Sequence, residues 1–186
     1  MQDTLPASID PFAAHFATPP VLKALVEKGA LGQKAGAGFY KKEGKAIKVL
    51  DPKRAEYVDS AGKADELVVR ILKKKDAAER LKLLRETDHP QAKFLWAIFR
   101  DAFHYIAVHL ESIADTARDV DFALRWGFGW STGPFETWQA AGWQQIAEWV
   151  KADIDAGEAL SKAPLPKWVF DGPVAKAGGV HGAAGS

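Results

Sequence analysis

Cysteine is absent and methionine occurs once. Without thiols the chain can form no disulfide and no thiolate metal centre, which fits a reducing compartment. Neither sign of charge is in excess: 25 Lys and Arg face 24 Asp and Glu, a formal net charge of +1. That balance gives no global attraction to nucleic acid or to an anionic membrane, so neither is expected as a partner. No apolar run approaches the roughly 20 residues that cross a bilayer. Met1-Gln2-Asp3-Thr4-Leu5-Pro6 has neither the basic start nor the apolar stretch of a signal peptide. A cytoplasmic protein is expected.

What is present is apolar and aromatic: 47 % hydrophobic and 11 % aromatic residues in 186, enough for a real core. Residues 1–17 read as irregular, broken by Pro6 and Pro11. Thr18 to Gly29 reads as a short helix, with Thr18 as cap, prolines in the first turn and Gly29 as stop. Phe39-Tyr40 and Ala46 to Val49 flank the turn Glu43-Gly44 and predict a hairpin over 38–49. Asp51-Pro52 reads as a helical turn. Helices follow over 64–73, with Leu67, Val68 and Ile71 inward, and behind the capping pair Asp76 and Glu79, with Ala78, Leu81 and Leu84 inward. The longest spans 90–114, where Phe94, Ile98, Ala102, Tyr105, Ile106, His109 and Ile113 recur at helical spacing. Trp143 to Asp155 carries the stripe Ile146, Trp149, Val150 and Ile154.

The chain is organised around Asp119 to Gly142, which holds Trp126, Trp130 and Trp138 and the corner Gly133-Pro134-Phe135. Asp119 can cap one helix, Gly127 can end it in the left-handed conformation, Pro134 suits the first turn of the next with Glu136 near its positive end, and Gly142 can close that one. Large aromatics on a tight turn bury much area, so the stretch reads as a packing keystone.

Chemically reactive groupings are sparse. Gly36-Ala37-Gly38 has neither the Gly-Lys-Ser/Thr end of a P-loop nor the spacing of a dinucleotide fingerprint, and reads as a structural turn. Lys34 is the better candidate for a ligand contact, since an ammonium beside glycine amides can meet a CoA phosphate; the plainer reading is a solvated lysine. His104 and His109 are five apart, not the spacing that aims two imidazoles at one metal, and no third ligand stands at a recognisable distance, so no metal site is expected. Lys73-Lys74-Lys75 with Arg70 is basic, but Asp65, Glu66, Asp76 and Glu79 flank it, as on a solvated helix face. The tryptophans are core residues, with a share lining a cleft or an interface.

Two stretches carry a family resemblance. Leu31-Gly32-Gln33-Lys34-Ala35-Gly36-Ala37-Gly38-Phe39-Tyr40 resembles the Leu-Gly-x-Lys-x-Gly-x-Gly-Phe-Tyr signature that ends the first helical C-terminal repeat of 3-hydroxyacyl-CoA dehydrogenases. Gly127 to Gly142, with Gly129, Gly133, Pro134, Phe135 and Trp138, is similar to the second repeat's Gly-Phe-Gly-Trp-x-x-Gly-Pro-Phe-Glu-x-Trp-Asp-x-x-Gly. That form is typical of the long multifunctional β-oxidation proteins. Gln139 departs from it, standing where the family has Asp.

The resemblance covers about residues 10–170. It implies a mainly α fold, a helical bundle of the C-terminal type with one small hairpin. Residues 1–50 would be the remnant of the first repeat, 51–89 a helical connector, 90–170 the second repeat and 171–186 a flexible tail. It also implies that the whole protein oxidises 3-hydroxyacyl-CoA with NAD, while no strand–turn–helix fingerprint for NAD stands here. Met1 is therefore expected to open a fragment, and the family's catalytic His–Glu pair lies outside it. No catalytic or cofactor-binding residue is assigned to this chain, which is expected to be inactive alone. Acyl-CoA, a missing NAD-binding domain and a second copy are the expected partners; a pure docking module is the alternative.

Overall fold

The computed structural model describes residues 5–60 and 62–182. The chain divides into two units: Ala13–Lys63 forms most of the first, and Ala7–Phe12 with Ala64–Ser186 forms the second. Residues 1–4 of the irregular N-terminal stretch and 183–186 of the expected tail lie outside the described residues.

In the first unit, α1 spans Pro20–Glu27. Pro19, rather than Thr18, occupies the cap, its carbonyl accepting from the amides of Leu22 and Lys23. Gly29, at φ 69°, turns the chain out. Strands β1 (Tyr40–Glu43), β2 (Ala46–Asp51) and β3 (Glu56–Asp59) form an antiparallel sheet in that order, with Tyr40 opposite Val49 and Leu50 opposite Tyr57. The expected hairpin is its first half. The expected helical turn at Asp51-Pro52 is present as a single turn leading into β3: the Ala55 amide donates to the Asp51 carbonyl at 2.8 Å, and the Asp51 carboxylate accepts from the amides of Lys53 and Arg54. That side-chain bonding caps the turn as at a helix start, and Ala55 at φ 56° ends it after one turn and completes the reversal.

The second unit holds α2 (Glu66–Leu72), α3 (Ala77–Glu86), α4 (Pro90–Ile113), α5 (Ala117–Phe128), α6 (Pro134–Ala140), α7 (Trp143–Asp155) and α8 (Gly172–Ala177). The mainly helical fold with a small sheet agrees with the sequence reading. Asp65 and Asp76 cap α2 and α3 by accepting from Leu67 and Glu79. Helix α5 starts one turn before the expected cap: Thr116 is the cap, and Asp119 returns a bond to the Thr116 amide in a reciprocal capping box. It ends at Gly129, φ 69°, not at Gly127, which stays helical.

Helix α4 buries a different face from the predicted stripe. Ala92, Trp96, Arg100, Phe103, His104, Ile106 and Ala107 face inward, while Phe94, Ile98 and Ile113 are exposed. The helix is apolar nearly all round, so spacing alone offers two stripes. The buried one contains a cation, which a sequence pattern assigns to solvent. Arg100 is tolerated because Asp101 accepts from Nε and Nη2 at 3.0 and 2.9 Å, with Asp153 of α7 3.7 Å from Nη1. Asp153, itself buried, also accepts from Trp96 Nε1 at 2.7 Å and Arg85 Nη2 at 3.1 Å. A buried charge is sustained by this degree of pairing and hydrogen bonding. Leu67 and Ala78, expected inward, are exposed; Val68, Ile71, Leu81 and Leu84 are buried.

Residues 163–182 read as extended chain and tail, but their described part is ordered by specific contacts. Val169 and Val180 are buried, and α8 lies between them.

Candidate functional site

The corner between α5 and α6 is built around one buried carboxylate. Asp121, in the first half of α5, is 1 % exposed. Its Oδ1 accepts from the Phe135 amide at 2.8 Å and its Oδ2 from the Glu136 amide at 3.0 Å, satisfying two amides of the first turn of α6. His181 Nε2 lies 2.7 Å from the same Oδ2. Burial raises the Asp121 carboxyl above its ordinary value, opposed by the bonds from Phe135, His181 and Glu136. Gly133 must be glycine for a steric reason: a Cβ there would stand 2.3 Å from the Asp121 side chain. The Gly133 amide donates to Glu136 Oε2 at 2.7 Å, and Arg125 Nη1 donates to Glu136 Oε1 at 3.0 Å. Thr137 Oγ1 donates to the Gly133 carbonyl at 2.8 Å.

Behind the corner lies an aromatic stack. Trp138 and Trp143 are parallel within 11° with centroids 4.2 Å apart, and Phe103 and Phe135 pack on Trp138 at 5.3 and 6.4 Å. Both indoles find acceptors, Trp138 Nε1 at the Trp143 carbonyl and Trp143 Nε1 at the Val169 carbonyl, each 2.9 Å. These two tryptophans are core, and Trp149 is half-buried. Trp126 and Trp130, on the outer side of the corner, are 77 % and 51 % exposed.

A cleft of about 370 Å³ opens beside the corner. Ile98, Phe99, Phe103, Trp130 and Pro134 supply its apolar walls, and Ser131, Thr132 and Thr137 its hydroxyls. Such a pocket is of the size and composition that takes a small apolar group, with few polar atoms to orient it. No acid–base pair lines it among the described residues.

Gln139 makes a reciprocal pair with the C-terminal segment: its Nε2 donates to the His181 carbonyl at 3.1 Å, and its Oε1 accepts from the His181 amide at 2.9 Å. An aspartate, acceptor-only when ionised, cannot make both bonds. His181 had no sequence signal, since nothing local pairs it with Asp121.

In the first unit, Gly32 (φ 130°) and Gly36 (φ 82°) flank a turn over Gln33–Ala35. Gly38 is there because a Cβ would meet the Gly32 Cα at 2.8 Å. The Gly32 amide donates to the Ala37 carbonyl, and Tyr57 donates to the Gly38 carbonyl at 2.6 Å. Lys34 is exposed on that turn. It is not among the residues lining the adjacent groove of Gly32, Gly38, Phe39 and Tyr40.

The histidines of α4 face different partners. His104 is fully buried with Nε2 2.8 Å from the Ala163 carbonyl, and burial lowers its pKa and favours the neutral ring. His109 Nε2 lies 3.2 Å from Asp10 Oδ1. Among the described residues no three His, Asp or Glu are placed to hold a metal, and no helix is long and apolar enough to cross a membrane. The sheet is antiparallel throughout, and the glycine run enters β1 from a short turn instead of leaving a strand for a helix. The residues described here therefore do not form a Rossmann-type dinucleotide cradle.

No family model matches the chain, and no solved structure does. Three curated sequences do. A probable 3-hydroxyacyl-CoA dehydrogenase of Bacillus subtilis is 37 % identical over 153 residues, 76 % of this chain and 19 % of the relative. Putative fatty acid oxidation complex trifunctional enzymes of Rickettsia felis and Rickettsia prowazekii are 28 % and 25 % identical over 169 residues, 89 % of this chain and 21 % of each relative. The chain thus spans about a fifth of the length of the curated relatives it matches. Over that fifth the chain is similar to a probable 3-hydroxyacyl-CoA dehydrogenase and to putative fatty acid oxidation complex trifunctional enzymes, in keeping with the two motifs.

Proposed function

We propose that this chain is the helical C-terminal part of an NAD-dependent, cytoplasmic 3-hydroxyacyl-CoA dehydrogenase, and that it supplies one wall of the acyl cleft. The observation that carries this reading is the apolar cleft at the α5–α6 corner, held in shape by Asp121, Gly133 and the tryptophan stack. Its hydroxyl-bearing mouth can orient an acyl chain, but it holds nothing that can take the proton from a 3-hydroxyl or the hydride from its carbon. Those roles belong, on this reading, to an NAD-binding domain carrying the catalytic His–Glu pair. The chain alone is therefore inactive. Lys34, exposed on the turn of the first unit, is the lysine that the family resemblance offers to a CoA phosphate.

A second reading is favoured by the outward aromatics: Trp126, Phe128 and Phe94 are 77 %, 71 % and 65 % exposed, and aromatic residues are enriched at protein interfaces. On that reading the helical unit is a docking or self-association module that touches no substrate. Calorimetric titration separates the two. Saturable binding of a medium-chain acyl-CoA, weakened by filling the cleft with Ala102→Trp, supports the first. Absence of binding, together with a concentration-dependent mass in light scattering, supports the second.

A further inference from the structure

The first unit is poorly buried for its size. Leu25 is its only fully buried large apolar side chain among the described residues, while Val26, Leu31, Phe39 and Ile47 are 47–71 % exposed. So small a body rarely holds itself together without a bound partner or ligand. Between α1 and the sheet runs a cleft of about 460 Å³, walled by Val21, Ala24, Leu25, Leu50 and Tyr57. That volume is within the range of small-molecule pockets. The charged side chains that line it are Lys28 and Lys41; no carboxylate does so among the described residues.

The charge of this unit leans to one sign. Residues 13–63 contain ten Lys and Arg against five Asp and Glu, whereas residues 64–186 contain fifteen against seventeen. The near-neutral whole therefore conceals one basic unit and one mildly acidic unit. Lys41 does not lose its charge to a private partner: Glu43 is shared between Lys41 at 2.9 Å and Lys48 at 3.0 Å, which leaves the trio positive. Lys41 also stands over the Tyr57 ring, 5.6 Å from its centroid, so the cation is held at the cleft wall.

We propose that the cleft between α1 and the three-stranded sheet binds an anionic single-chain amphiphile of the fatty-carboxylate class, its aliphatic tail against Val21, Ala24 and Leu50 and its head group paired with the lining lysines. Burying the tail supplies the affinity, and the absence of lining carboxylates selects the sign of the head group. This site lies in a different unit from the corner cleft and goes beyond the reading of that cleft.

The test uses the whole chain with dodecanoate below its micellar concentration, and dodecyltrimethylammonium as the cationic counterpart of the same tail. Calorimetry is expected to give saturable one-to-one binding of dodecanoate, at least about tenfold tighter than the cation. Ala24→Trp, at an exposed helix position, abolishes it. The surface pair Lys28→Glu with Lys41→Glu reverses the head-group preference without depending on the packing of the cleft. Ala102→Trp closes the corner cleft to any acyl tail and leaves the preference for the carboxylate head group unchanged. Three results would each overturn the proposal: no saturable dodecanoate binding, equal affinity for both head groups, or binding lost with Ala102→Trp and kept with Ala24→Trp.

Discussion

Replacing Trp138 with alanine is expected to lower the unfolding free energy by about 3–5 kcal/mol, the range for emptying a large aromatic site. Trp138 is 0 % exposed and is the largest fully buried side chain of the protein's described residues. It touches α4 through Phe103 and α7 through Trp143, and its indole donates to the Trp143 carbonyl. Truncation leaves that carbonyl without its donor and leaves two rings facing a void that rigid neighbours cannot fill. Trp138→Phe keeps most of the volume but loses the bond, and should cost less than half as much. Trp126→Ala, by contrast, should change stability little, because that ring is 77 % exposed. Urea unfolding followed by circular dichroism measures all three. Equal losses for Trp126 and Trp138 would contradict the assignment of one to the surface and the other to the core.

Removal of the Asp121 carboxylate is the second large perturbation. Asp121→Ala strands the Phe135 and Glu136 amides and the His181 imidazole, and its cost is expected to be about 2–4 kcal/mol, several unmade bonds at a buried place. Asp121→Asn keeps the shape but turns one acceptor into a donor facing donors. The pH dependence carries a separate signature. Burial holds the folded-state carboxyl above its ordinary value of 3.8, so between that value and the raised one the folded form binds more protons than the unfolded form. The contribution is fully present below 3.8 and is lost as pH rises through the folded value. In wild type this group therefore makes stability fall with rising pH in that window, and Asp121→Asn should remove that component. An unchanged acid limb in the asparagine variant would show that Asp121 does not titrate as described.

Several helix starts were legible because caps and breakers act locally, although the α1 cap and both ends of α5 stand elsewhere than expected. Asp65, Asp76, Pro90 and Pro134 stand where side-chain acceptors or a fixed φ start a helix, whatever the rest of the chain does. The two glycine–aromatic motifs were legible for a related reason: Gly38 and Gly133 sit where another atom approaches too closely for a Cβ. What escaped depends on partners distant in sequence. Arg100 could not be placed inside without knowing that Asp153 comes to meet it. Likewise, the tail could not be placed without knowing that Asp121 and Gln139 both bind His181, 60 and 42 residues away. The third strand, Glu56–Asp59, follows a reversal at Ala55, φ 56°, a backbone choice that periodicity does not register.

On the proposed reading, these helices shape and pack a binding surface, and the reacting groups stand outside this chain. The chain shares about a fifth of the length of its relatives and has an apolar cleft without an acid–base pair. The most direct measurement is absorbance at the wavelength of NADH when the isolated chain is mixed with a 3-hydroxyacyl-CoA and NAD. No NADH above the enzyme-free control is predicted, with turnover appearing only when the relatives' remaining sequence is supplied. Steady NADH formation by the isolated chain would contradict the claim.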